Sequence, residues 1–219
     1  MLRWLFTGLM LLVAGQALAQ GPNAEARLLS AVTSGDLISV QAALRDGARI
    51  DVRDDQKRTA LLIATYRNDL SVAKALIDAG ADVNAKDSIE DSPYLYAGAE
   101  GRTEILKLIL RAGADLRSTN RYGGTALIPA AHNGHVEAVR ALLGTGVDVN
   151  HVNKLGWTAL MEAVLLGGGD AAHIQIVELL LRAGARPDIA DREGVTPLAH
   201  ARKRGFGAIV RVLESYGAR

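Results

Sequence analysis

From about residue 24 to the C-terminus, apolar side chains cluster in short segments that come in pairs. The second segment of each pair carries an apolar stripe at helical spacing, as in Ile105, Leu106, Ile109 and Leu110, or Val136, Val139, Leu142 and Leu143. The first segment is shorter and rich in alanine, with Ala64, Ala97, Ala130, Ala163 and Ala201 at matching places. Small side chains there predict helices that approach their neighbours closely. Between pairs lie polar stretches such as Asp82-Val83-Asn84-Ala85-Lys86-Asp87, too short and polar for a helix.

The pairs repeat with a fixed period. Gly47, Gly80, Gly113, Gly146, Gly184 and Gly217 each open a Gly-Ala pair or a near copy of one, at spacings of 33, 33, 33, 38 and 33 residues. Thr59, Ser92, Thr125, Thr158 and Thr196 form a second ladder with the same single irregularity. A shared period of this length is the signature of stacked repeats. The Thr and Ser residues are placed to cap the free amides of each first helix, and Pro93 and Pro197 suit its first turn. Turns at Asn68-Asp69, Gly101-Arg102, Gly134-His135 and Gly205-Phe206 reverse the chain between helices, and Gly80, Gly113, Gly146 and Gly184 end the second helix.

These motifs resemble the ankyrin repeat. Its Thr-Pro-Leu-His-x-Ala and Gly-Ala-Asp-Val-Asn elements correspond to Thr196-Pro197-Leu198-Ala199-His200-Ala201 and Gly80-Ala81-Asp82-Val83-Asn84. The resemblance covers residues 24–219 and implies an all-α solenoid of about six helix-turn-helix units joined by β-hairpin or turn connections. The N-terminal cap would span 24–54, the internal repeats 55–186 and the C-terminal cap 187–219. Charge on the end units, including Glu25, Arg27, Arg202, Lys203, Arg204 and Arg211, fits faces that have no neighbour. More loosely, the chain resembles small exported bacterial ankyrin-repeat proteins.

Departures from the pattern bear on function, because the matches only build a scaffold. Lys57 and Glu90 stand where Gly123, Gly156 and Gly194 occupy the other tips, so those two turns are expected to take another shape. Five extra residues in the fifth unit, around Gly167-Gly168-Gly169-Asp170-Ala171, are expected to project as a flexible loop between its two helices. In the resembled family, partners dock on the hairpin tips and on the exposed side of the first helices. By register, one tip position is Ile89, Tyr122 and Leu155, and a neighbouring one is Asp91, Gly124 and Trp157. The concave helical face holds Tyr66, Arg67, Glu100, His132, Asn133, Leu165 and Leu166. An exposed apolar row with Tyr and Trp anchors marks an interface, unless adjacent tips bury it.

The first residues address location. Arg3, an apolar run from Trp4 to Ala14 and the small-x-small sequence Ala17-Leu18-Ala19 read as a signal peptide over residues 1–19, cut between Ala19 and Gln20. The expected mature domain, 20–219, is then periplasmic and unattached to membrane. Loss of Arg3 leaves 24 basic against 24 acidic residues, a balance that offers phosphates no general attraction and argues against nucleic acid. Cysteine is absent, so the fold rests on apolar packing.

Catalytic and metal-binding constellations are not apparent. His135 and His173 sit at equivalent starts of second helices, a structural place in the resembled family, and there is neither Cys nor a His-Glu-x-x-His element to hold zinc. Asp82, Asp87, Asp115, Asp148, Asp188 and Asp191 recur with the repeat, which points to turn hydrogen bonds because an active site needs one copy. The expectation is a monomeric, cofactor-free, non-enzymatic adaptor or inhibitor-like protein binder. The alternative is a peptidoglycan- or small-ligand-binding module of the cell envelope that uses Tyr66, Tyr94, Tyr96 and Tyr122, with Tyr94 the one expected to face inward. A hydrolase is the remotest reading, since no sequence feature gathers an acid, a base and a nucleophile.

Overall fold

A computed structural model describes residues 23–219, so the expected signal peptide and cleavage point lie outside the described residues. Among the described residues, twelve helices fall into six antiparallel pairs: α1 (Ala24–Ser34) with α2 (Leu37–Arg45), α3 (Ala60–Tyr66) with α4 (Leu70–Asp78), and α5 (Pro93–Ala99) with α6 (Thr103–Arg111). They continue with α7 (Leu127–His132) and α8 (Val136–Leu143), α9 (Ala159–Leu165) and α10 (Ala171–Arg182), and α11 (Pro197–Lys203) and α12 (Gly207–Ser215). The odd-numbered helices stack in order as one layer and the even-numbered helices as another. No membrane-length apolar helix occurs among the described residues.

The core runs the length of the stack because each pair buries its apolar side against the next. Leu61, Tyr94, Leu127, Leu160 and Leu198, two residues after each capping position, are all sealed from solvent. Small residues set the spacing between first helices. A Cβ added to Gly98 would lie 2.8 Å from the Cβ of Ala126 in the next unit.

Four of the five capping residues act as the sequence predicts: Thr59, Ser92, Thr158 and Thr196 accept from the amide three residues on. Thr125 does not. Pro129 has no amide to give the Thr125 carbonyl, and the Ile128 amide donates to that carbonyl at 3.1 Å instead of to the hydroxyl. Helix α7 consequently starts at Leu127 and is six residues long. Pro93 and Pro197 occupy first-turn positions as expected, and Gly80, Gly113, Gly146 and Gly184 end their helices at φ of 83 to 92°.

The connections are turns rather than paired strands; the described residues contain one isolated bridge, Arg53 to Thr59. An acid or amide at the start of each tip holds the turn by accepting two amides. Asp54, Asp87, Asn120, Asn153 and Asp191 each accept through Oδ1 from the residues two and four positions later. Asp82, Asp115 and Asp148 likewise accept from the amide two residues on, which accounts for the recurrence of acidic residues.

This bonding corrects the expectation for Lys57 and Glu90. Their turns keep the shape of the glycine tips, with φ of 60° and 67°, because Asp54 and Asp87 impose it. The Gly-rich insertion is also not a projecting loop. Helix α10 has 12 residues against nine in α4 and α6, so it absorbs three of the five extra residues. Gly167 is buried, and a Cβ there would lie 2.1 Å from the Ala163 carbonyl oxygen and 2.3 Å from the His173 ring. Arg204 of the next unit donates to the carbonyls of Leu165 and Gly167, and Asp170 caps α10.

Two expectations follow for stability. Lys57→Gly and Glu90→Gly should each stabilise the fold by about 1 kcal/mol, read as a raised urea midpoint, because both relieve a left-handed backbone. Gly167→Ala should destabilise it by about 1–3 kcal/mol through overpacking; an unchanged midpoint would show that the insertion is free to move.

Candidate functional site

The concave side of the stack holds a pocket of about 340 Å³ spanning three consecutive units. Helix α5 supplies Tyr96, with Glu100 just beyond its end, α7 supplies Pro129 and His132, and α9 supplies Glu162, with Leu166 just beyond its end. The tips add Asp91, Asn120, Arg121, Tyr122, Asn153, Leu155 and Trp157.

Each wall is fixed from behind. The oxygen of Asn153 is taken by the amides of Leu155 and Trp157 at 2.9 and 3.0 Å, so its amide nitrogen faces Glu162 and donates to Oε1 at 2.8 Å. His173 hydrogen-bonds to the His132 carbonyl at 2.9 Å and to Asp170 at 2.8 Å, which ties α7 to α10 and accounts for the histidine expected to be structural. Asn133 donates to the Ala99 carbonyl at 2.8 Å and Arg67 to the Ser34 carbonyl at 3.3 Å, bonds that join successive units. Tyr66 packs edge-on against Tyr96 with ring centroids 4.0 Å apart.

Electrostatically, Glu162 stands out. Its residue is 6% exposed, and burial pushes its carboxyl up to about 7 against the opposing hydrogen bond from Asn153. His132 Nδ1 lies 3.5 Å from Glu162 Oε2, an ion pair only when the ring is protonated and the carboxyl ionised, and burial and the nearby His173 hold His132 below its ordinary value. Asp91 is also raised by burial and by the negative charges of Asp87 and Glu100, with Arg121 at 3.8 Å opposing. Arg121 in turn lies over the Tyr122 ring at 4.9 Å.

Among the residues singled out from sequence, Asp91, Glu100, Tyr122, His132, Leu155, Trp157 and Leu166 line this pocket. Ile89 and Asn133 are exposed outside its lining, Arg67 is exposed further along the stack where it reaches the first unit, and Leu165 is half-buried under Arg204. Ile89, Tyr122 and Leu155 are 48, 53 and 45% exposed, so adjacent tips do not bury that row. The neighbouring register differs from expectation. Asp91 and Trp157 are half-buried and Gly124 is buried, because all three border the pocket instead of crowning the tips. Tyr94 is fully buried, as expected, and takes no part in any surface. Tyr96, named from sequence only for the ligand-binding alternative, also lines the pocket; Glu162 and Asn153 were not singled out, although a carboxylate in an otherwise apolar first helix is a readable signal.

A family model described as ankyrin repeats in three copies matches residues 9–87 and 94–191. The chain belongs to the ankyrin-repeat family. An ankyrin repeat domain from Acinetobacter baumannii AYE, ABAYE2397, is 56% identical with a TM-score of 0.85, over 88% of this chain and 98% of that one. The ankyrin repeat protein EF0377 is 44% identical with the same TM-score, again over 88% of this chain and 98% of that one. The ankyrin repeat protein YahD of Escherichia coli strain K12 is 46% identical over 57 residues, which span 26% of this chain and 28% of that protein's length. Ankyrin repeats are generally protein-protein interaction modules, and the fold is typically a non-catalytic binding scaffold.

The raised Glu162 carboxyl has a thermodynamic consequence. The folded protein holds this proton more tightly than the unfolded chain, whose carboxyl titrates near 4.5, so the site's stability is fullest below pH 4.5 and is lost as pH rises through about 7. The loss is on the order of 3 kcal/mol. Glu162→Gln keeps the acceptor for Asn153 and removes the titration. From pH 4.5 to 8, its stability relative to wild type, measured by urea unfolding, should therefore rise by about that amount.

Proposed function

We propose that this ankyrin-repeat protein acts as a non-catalytic, monomeric adaptor or inhibitor in the periplasm, holding a protein partner with its tips and concave face. The observation that carries the reading is the exposed apolar row of Ile89, Tyr122 and Leu155, which is continuous with an aromatic-walled pocket on the adjoining helices. Large apolar side chains left in solvent at aligned positions are a liability unless a partner covers them. Tyr and Trp at the rim provide anchors of the kind that dominate protein interfaces. A rigid stack presents such a surface with little reorganisation on binding, which favours an extended protein partner over a small ligand. The balanced charge leaves nucleic acid without an electrostatic footing. Export follows from the leader-like start at residues 1–19.

Two measurements test it. Alanine replacement of Tyr122 and Leu155 together should reduce recovery of the partner from a periplasmic extract at least tenfold, while the unfolding midpoint, which depends on the core, stays within about 0.5 kcal/mol of wild type. Undiminished recovery would remove the tip surface from the interface. Protein taken from the periplasmic fraction should begin at Gln20 by N-terminal sequencing, and an intact Met1 there would refute processing.

A further inference from the structure

We propose that the concave pocket between α5, α7 and α9 is a receptor for a lysine side chain of the protein partner, with the Glu162 carboxylate as the counter-charge for its ammonium. The inference rests on the protein-binding reading above and specifies which partner group enters the pocket.

The pocket is short of positive charge. Asp91, Glu100 and Glu162 border it, while Arg121 lies 3.8 Å from Asp91 and is stacked on Tyr122 at its rim. His132 is the other basic group facing Glu162, and its surroundings favour the neutral ring. Glu162 is more than nine-tenths buried, with Oε1 occupied by Asn153 and no hydrogen bond to Oε2 among the described residues. A carboxylate buried in this way is costly until a cation joins it.

Geometry selects ammonium over guanidinium. A guanidinium fork is best matched by both oxygens of one carboxylate, and Asn153 already holds one of the two at Glu162. Ammonium carries three separate donors, suited to single acceptors contributed by different side chains. The aromatic walls, Tyr96 and Trp157, accommodate the apolar stem and favour the cation at its end. Neutralising the Glu162 region also relieves its raised carboxyl, so uptake should tighten as pH rises through about 7.

The test uses the full chain and three blocked tripeptides, acetyl-Ala-X-Ala-amide with X as lysine, arginine or norleucine. Binding is followed by NMR at the indole N–H of Trp157, one of two tryptophans in the chain, assigned with Trp157→Phe. The lysine peptide should give saturable shifts, at least tenfold tighter than norleucine and tighter than arginine. The affinity should be greater at pH 8 than at pH 5.5, and Glu162→Gln should lower it at least tenfold at pH 8. Glu100→Gln, at an exposed position, should weaken binding to a smaller extent without disturbing the fold. Equal binding of norleucine would show an apolar pocket and overturn the proposal, and tighter binding of arginine would overturn the choice of ammonium. Partner recovery separates the two levels. Loss with the Tyr122 and Leu155 double variant but full retention with Glu162→Gln would remove the lysine receptor and leave the docking surface. Retention with both would remove the docking surface, and the peptide titration would then decide the pocket alone.

Discussion

The rest of the structure depends on burial shared between neighbours. A two-helix unit of about 33 residues is too small to enclose its own core, and the apolar sides of α3 and α4 are covered only because α1, α2, α5 and α6 lie against them. Close approach of the first helices is what makes the sharing effective, and the near-contact of Gly98 with Ala126 indicates how little space remains. Once packing is settled along the stack axis, the tips and the concave side are relieved of it. Those surfaces can carry residues that a core would reject, such as Tyr122, Arg121 and the carboxylate of Glu162.

The tips show how a rigid display is obtained from turns without strands. One side-chain oxygen in each tip binds two backbone amides, and this bond pair recurs at Asp54, Asp87, Asn120, Asn153 and Asp191. It is strong enough to keep Lys57 and Glu90 in a backbone conformation that glycine fills elsewhere. In the fifth unit the same device has a second effect. Committing the oxygen of Asn153 to the backbone leaves its amide nitrogen to orient Glu162, so scaffold and pocket are joined through one side chain.

What could be read in advance follows from the range of the interactions involved. Periodicity, caps and helix-ending glycines are local and repeat in the sequence, so the two-layer stack and the position of its concave face were legible. Thr125 failed as a cap for a reason that was also local, the missing amide of Pro129, and a closer reading would have found it. The insertion was different. Its glycines indicate flexibility only until His173, Arg204 and Phe206 are known to close around them, and the contacts of Arg204 and Phe206 reach across units. The pocket was legible as a region but not as a charge, because the protonation of Glu162 is set by burial, which no spacing rule reports.

The repeat itself offers a way to see such sites. The second residue after each cap varies little and is always sealed: Leu61, Tyr94, Leu127, Leu160 and Leu198. The fourth residue, two positions on and so on the opposite side of the helix, is different in every unit: Ile63, Tyr96, Pro129, Glu162 and His200. Two of these reach the tip residue nine positions earlier, with opposite electrostatic results. His200 lies 2.6 Å from Asp191 and, as the leading cause, holds that carboxyl below its usual range, so an acid and a base satisfy each other. Glu162 meets the neutral amide of Asn153, and its carboxyl is held above its usual range. One register position thus produces a closed hydrogen-bonded pair in the last unit and an open carboxylate in the one before it. The last unit needs only to end the stack, whereas an open carboxylate is useful only where something arrives to meet it. On the lysine-receptor proposal, that contrast assigns partner selectivity to the third to fifth units, where the same scaffold geometry is kept and the charge is left incomplete.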